Sequence, residues 1–171
     1  MKIFTSHIKA SMILPDTFHC HIITLSDRAS KGEYEDLSGP KIHGYLSAFF
    51  QEWGKKASIE RTVIPDDPLK LKKLFLQKSA DCQLIITTGG TGIGPRDITV
   101  DVIKPLLDKE IPGIMEAVRI RYGLEKPNAL LSRSIAGVRK NCLVFTLPGS
   151  VKAVNEYMTE VLKSLEHAYY M

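Results

Sequence analysis

The 171-residue sequence holds no apolar run approaching the roughly 20 residues of a membrane-spanning helix, so no membrane association is expected. Its most compact apolar runs are short, Leu84-Ile85-Ile86 and Cys142-Leu143-Val144-Phe145. Lys2 and Lys9 are not followed by a continuous apolar stretch before Pro15, so no secretory leader is expected either. Cysteine is scarce. Cys20, Cys82 and Cys142 are odd in number and far apart, which excludes a disulfide framework and fits buried thiols in a reducing cytoplasm. No one sign of charge dominates: 23 basic against 19 acidic residues leaves +4, and the acids are interspersed among the bases. That balance does not call for a nucleic-acid partner, although a local basic cluster facing a small anion would suit it. Hydrophobic residues at 44% and charged residues at 25% exclude extended disorder and fibrous classes. The length holds about one domain, large enough to need no disulfide or metal staple.

What is present is an alternation of apolar runs and helical stripes. Cys20–Leu25, Ile59–Ile64, Cys82–Thr88 and Cys142–Leu147 read as strands, the first compact enough for burial on both faces. Ser38, before Pro40, opens a helix striped by Ile42, Leu46, Phe49, Phe50 and Trp53 and ended by Gly54. Asp67 before Pro68 caps a second, with Leu71, Leu74 and Phe75 inward. A short helix ends near Pro105, and Pro112 opens another along Ile111, Met115, Val118 and Tyr122. Ser150 caps the last, whose apolar face is Val151, Val154, Met158, Val161, Leu162 and Leu165. Residues 130–136 alternate weakly and predict a further strand. The alternation predicts an α/β domain with a mostly parallel sheet and helices on both faces.

Ligands of such sheets sit beyond the carboxyl ends of the strands. That rule singles out Ser26-Asp27-Arg28, Pro65-Asp66-Asp67, the Gly89–Asp97 loop and Pro148-Gly149-Ser150. Gly89, Gly90, Gly92 and Gly94 are four glycines in six positions, and such a loop exposes backbone amides as an anion nest. A helix start behind the loop would add to the attraction for phosphate. No Gly-Lys-Ser/Thr follows, so this is not a Walker A loop, and Pro95 stands where the dinucleotide fingerprint needs its third glycine. If Asp67 caps, Asp66 is spare, and Asp97 stands where the loop meets a helix. Two carboxylates beside a phosphate nest suit Mg²⁺ held with a nucleotide, with Asp101 as a third candidate. Arg28, Arg96 and Arg133 carry guanidinium forks that match phosphate geometry, and Ser132 and Ser134 offer hydroxyls. His19-Cys20-His21 lacks the second pair a structural zinc site needs.

Leu25-Ser26-Asp27-Arg28-Ala29-Ser30-Lys31-Gly32-Glu33-Tyr34-Glu35-Asp36 resembles the opening motif of the molybdopterin adenylyltransferases, and Thr87–Thr99 resembles their signature loop. Val63-Ile64-Pro65-Asp66, Leu131-Ser132-Arg133 and Leu147-Pro148-Gly149-Ser150 match in the same order. The resemblance implies a three-layer α/β/α fold and a homotrimer. It implies that AMP passes from ATP to the terminal phosphate of molybdopterin with Mg²⁺, that pyrophosphate leaves, and that a molybdenum-insertion enzyme takes the product. By motif, Asp66 and Asp97 are implied as the catalytic, metal-holding carboxylates. Gly89, Gly90, Thr91 and Gly92, with Ser26, Asp27 and Arg28, are implied to hold the nucleotide. Ser132, Arg133, Pro148, Gly149 and Ser150 are implied at the pterin end. On this reading residues 1–18 are an extension, and 19–171 form a single cytoplasmic domain that binds molybdopterin and nucleotide. The alternative is a non-catalytic molybdopterin-binding relative of the same fold. Val100 departs from the family, standing where many relatives have proline.

Overall fold

Four of the expected strands pair with two further short ones into one six-stranded sheet in a computed structural model that describes residues 14–171. The rest of the expected extension, residues 1–13, lies outside the described residues. The strands are β1 (Thr17–Leu25), β2 (Lys56–Ile64), β3 (Leu84–Thr88), β4 (Lys109–Glu110), β5 (Ala136–Arg139) and β6 (Cys142–Leu147). Their order is β2-β1-β3-β6-β5-β4. The first four in that order are parallel, and β5 runs antiparallel to both β6 and β4. The helices are α1 (Asp27–Ser30), α2 (Ser38–Trp53), α3 (Pro68–Asp81), α4 (Thr99–Ile103), α5 (Pro112–Gly123) and α6 (Val151–Ala168).

Side-chain alternation along β1 divides the core in two. Phe18, Cys20 and Ile22 face α2, α5 and α6, whose contributions include Leu46, Phe50, Met115, Val154 and Met158. Ile23 and Leu25 face the other way, against Leu71 and Phe75 of α3 and Ile103 of α4. Helices therefore cover both faces, and the domain has three layers.

Several boundaries move. The first strand begins at Thr17, because Phe18 is fully buried and continues the apolar face of Cys20 and Ile22. The second begins at Lys56 as an exposed edge, and Cys82 ends α3 rather than starting β3. The strand expected over residues 130–136 is instead a 3-10 turn, Pro127–Leu131, followed by β5. Gly54 adopts the left-handed conformation expected of a helix end (φ 70). Ser38 does not cap α2. The Asp36 carboxylate accepts from the amides of Ser38 and Gly39 (3.1 and 2.9 Å) and does that work from two residues upstream.

The three cysteines are unpaired. Burial raises the Cys20 thiol to about 12 and pushes Cys142 and Cys82 up as well, so they are packing groups rather than nucleophiles. His21 is 2% exposed and shares the parity of Ile23 and Leu25. Its Nε2 lies 3.0 Å from Thr62 Oγ1. Glu60 Oε2 comes within 3.3 Å of Nδ1 but is out of hydrogen-bond alignment, and it engages Lys78 Nζ at 2.7 Å instead. Burial, and after it the charge of Lys78, lowers the imidazole pKa against the opposing pull of Glu60. The unfolded chain then binds a proton that the folded one refuses, so stability falls as pH drops below about 6.5. His21→Gln should flatten the melting temperature between about pH 7 and about pH 5. An unchanged slope would show that another group titrates.

Candidate active site

The carboxyl ends of β2, β1, β3 and β6 open into one cleft of about 850 Å³. Its floor is the turn after β3. Gly89 (φ 99) and Gly90 (φ 65) both need the left-handed region, and neither could carry a side chain. A Cβ on Gly89 would stand 2.3 Å from the Leu25 carbonyl, and one on Gly90 2.5 Å from Thr99 Oγ1. Thr99 closes the loop from its far end. Its hydroxyl donates to Gly89 O (2.7 Å) and its amide to Gly90 O (3.0 Å).

Asp97 belongs to the loop and does not cap a helix. Its carboxylate accepts from the Gly94 amide at 2.8 Å, while Ile98 precedes α4 with no side-chain cap. The helix behind the loop has only five residues, so the loop's own amides are what can meet a phosphate. A Cβ on Gly92 would fall 2.7 Å from Asp97 Oδ2, so that glycine leaves room for the carboxylate.

Asp66 is spare, as expected. Asp67 takes the cap of α3 by accepting from Leu69 N and Lys70 N (2.8 and 3.0 Å). Asp66 instead forms a reciprocal clip with Asp27, which joins the ends of β1 and β2. Asp66 Oδ2 accepts from Asp27 N (3.2 Å), and Asp27 Oδ1 accepts from Asp66 N (3.0 Å). The other oxygen of Asp27 accepts from Arg96 (2.7 Å). Burial raises the Asp66 pKa above the usual carboxylate range; the charges of Asp27 and Asp97 add to it, and the Asp27 amide and Arg96 oppose it. Negative charge thus gathers around Asp66 at one end of the cleft.

The other side is built by α6. Ser150 caps it, accepting from Ala153 N at 3.2 Å. Thr88 Oγ1 donates to Pro148 O (2.9 Å) and Ser38 Oγ to Gly149 O (2.7 Å), which fixes the β6 turn beside Gly89. Ser26, Ser132, Pro148, Gly149 and Ser150 line the cleft together with Asp66, Asp97 and Gly89 to Gly92.

Asp27, Arg28 and Arg133 do not line it, and neither do the further candidates Asp101 and Ser134. Asp27 is occupied by its clip and by Arg96. Arg28 lies over the Tyr34 ring, 5.2 Å from its centroid. Arg133 is turned to the back of the glycine loop, where it donates to Gly92 O (2.7 Å), Asp97 O (2.6 Å) and both oxygens of Asp101 (2.8 and 2.9 Å). The three arginines therefore do not gather on one anion: each guanidinium has a partner of its own.

Sequence reasoning missed other lining residues. Tyr34, Leu37 and Ile93 are exposed apolar side chains that line it, and the charged Lys126, Lys152 and Glu156 line it too. Lys126 pairs with Glu156 across the turn after α5. Their one sequence signal is the four-residue spacing of Lys152 and Glu156 just past the Ser150 cap, which places both on one face of α6.

Residues 21–167 match the family described as "Probable molybdopterin binding domain". The chain is 39% identical over 164 residues to a molybdopterin adenylyltransferase of Pyrococcus furiosus, covering 90% of this chain and 93% of that one. It is 41% identical over 154 residues to gephyrin of Dictyostelium discoideum, covering 86% of this chain but only 21% of gephyrin, so it spans about a fifth of that relative. The crystal structure of the tungsten cofactor synthesizing protein MoaB from Pyrococcus furiosus superposes with a TM-score of 0.79 at 36% identity, covering 91% of this chain and 96% of that one. The family match takes in every strand end that forms the cleft, and the chain belongs to the molybdopterin-binding domain family.

Proposed function

We propose that this chain is a molybdopterin adenylyltransferase. The observation that carries the reading is the pairing, in one cleft, of the left-handed glycine turn with Asp66 and Asp97. In the reaction, an oxygen of the terminal phosphate of molybdopterin attacks the α-phosphorus of ATP. The bond from that phosphorus to the pyrophosphate oxygen breaks, and pyrophosphate leaves with the electron pair. Transfer of this kind asks for positioning and charge stabilisation rather than a protein nucleophile. The cleft offers backbone amides and carboxylates, and none of the three cysteines lines it.

In this reading the amides of Gly90, Thr91 and Gly92 hold the nucleotide phosphates, with Ser26 beside them, and Gly89, whose own amide donates to Leu147 O (3.0 Å), shapes the turn. Ser132, Pro148, Gly149 and Ser150 form the pterin end. Asp27 holds Asp66 in place through their reciprocal clip. Asp66 and Asp97 fit Mg²⁺. Among the described residues no cluster of three His, Cys, Asp or Glu side chains could hold a metal alone, and Mg²⁺ characteristically takes one or two carboxylates plus substrate phosphates. Asp66 and Asp97 line the same cleft as the glycine loop, so a cation held by them would stand beside the phosphates. Bound there, Mg²⁺ would neutralise charge on the phosphates.

A homotrimer is part of the proposal, supported by exposed Ile120, Leu124, Leu130 and Leu131 on α5 and the turn after it. So are a cytoplasmic location, supported by three unpaired cysteines, and hand-over of the product to a molybdenum-insertion enzyme. Among the described residues no helix is long and apolar enough to cross a membrane.

Purified protein incubated with molybdopterin, ATP and Mg²⁺ should yield the adenylylated pterin by mass spectrometry, with one pyrophosphate released per product. Chelation by EDTA should stop the reaction, and added Mg²⁺ should restore it. Pterin that binds but stays unmodified would assign the chain as a non-catalytic relative.

A further inference from the structure

We propose that Arg133 is a positioning residue that buckles the nucleotide loop from behind, and that it does not contact the pterin. Four of the five N–H groups of its guanidinium are committed. Nε donates to Gly92 O (2.7 Å), on the limb of the loop that leaves β3. One terminal nitrogen donates to Asp97 O (2.6 Å), on the limb that returns. The fork as a whole grips the Asp101 carboxylate with both terminal nitrogens (2.8 and 2.9 Å). The backbone joins in, since Arg133 N donates to Thr91 O at 2.8 Å. One side chain therefore ties both limbs of the loop to each other and to the first turn of α4.

Three further observations support this assignment. Arg133 is absent from the lining of the main cleft, whereas its neighbour Ser132 lines it. The loop's internal bonds, Asp97 with Gly94 and Thr99 with Gly89 and Gly90, close its tip and its base but leave the Gly92 carbonyl without a partner inside the loop. Arg133 is what fixes that carbonyl, and hence the orientation of the peptide that follows it. The Asp101 side chain is 64% exposed and that of Arg133 35% exposed, so the ion pair is screened by water. What the arginine contributes is the fixed planar geometry of its donors. Lysine, a point charge on a flexible stem, cannot reproduce it.

The kinetic half of the test rests on the transferase reading, and the exchange half does not. Arg133→Lys should lower kcat by on the order of 10–100-fold, as small misplacements of a reacting group do. It should raise KM for ATP and leave KM for molybdopterin within about twofold, because the loop holds the nucleotide. Hydrogen exchange read by mass spectrometry should speed up over residues 90–98 and stay unchanged elsewhere. Asp101→Asn, which removes the charge but leaves the carbonyl contacts, should give the same pattern at smaller size. It also serves as the second variant if Arg133→Lys folds poorly. A raised KM for molybdopterin with unchanged exchange over residues 90–98 would overturn the proposal in favour of direct pterin contact. Faster exchange spread over the whole chain in both variants would overturn it in favour of a general folding role. If the wild-type protein transfers no AMP but the local exchange change appears, the buckle stands and the transferase reading falls.

Discussion

Replacing Asp97 by asparagine should slow AMP transfer by about 10²–10³-fold and leave the fold standing, the size expected when one preorganised charge is removed from a reacting centre. The substitution is close to isosteric. The amide oxygen of asparagine can still accept from Gly94 N, which the carboxylate now does at 2.8 Å, so the loop keeps its shape. What disappears is one of the two negative charges proposed to hold Mg²⁺. Turnover per folded molecule should collapse while the melting temperature moves by only a few degrees. Asp67→Asn is the contrasting control, because Asp67 caps α3 and does not line the cleft. That change is expected to touch stability alone, and an N-cap is worth about 0.5–2 kcal/mol even when removed altogether. A fully active Asp97→Asn protein would remove Asp97 from the mechanism.

Phe18→Ala should cause the largest loss of stability. Phe18 is fully buried, and its ring sits 5.2 Å from that of Phe50, 5.1 Å from Trp53 and 4.8 Å from Tyr169. Deleting a buried phenyl ring costs about 3–5 kcal/mol. For a domain of this size that is roughly 6–20 °C in melting temperature. The site is far from Phe18, so the folded fraction should keep its turnover. A shift under about 3 °C would show that the aromatic cluster closes over the gap.

Both predictions turn on residues whose meaning was unequally visible in the sequence. The strands at Cys20–Leu25 and Cys142–Leu147, the glycine loop and the capping roles of Asp67 and Ser150 were legible, because each depends on local spacing and local hydrogen bonds. Phe18 falls in the expected extension because His19, exposed while its neighbours are buried, separates it from the apolar run Cys20–Leu25. Asp36 was missed as a cap because its acceptors serve amides beyond Leu37, in a loop with several acids to choose from. The setting of Arg133 is hidden in the sequence for a different reason. A guanidinium is a good phosphate ligand in the abstract, and only tertiary structure shows that Asp101, 32 residues away, already holds it. The lining by Lys126 and Glu156 was illegible for the same reason, since Lys126 reaches Glu156 from a turn 30 residues earlier.

The contact between Phe18 and Tyr169 also bears on how this fold can be joined to other chains. One residue lies at the start of β1 and the other just past the end of α6, so the first and last described elements meet at the base of the sheet. The cleft is at the opposite pole, a nine-residue strand away, or about 30 Å. The start of β1 and the end of α6 thus lie together on the side remote from the chemistry. Seams placed at those two described ends would both fall on one pole of the sheet, and the strand ends that carry the chemistry would stay on the other.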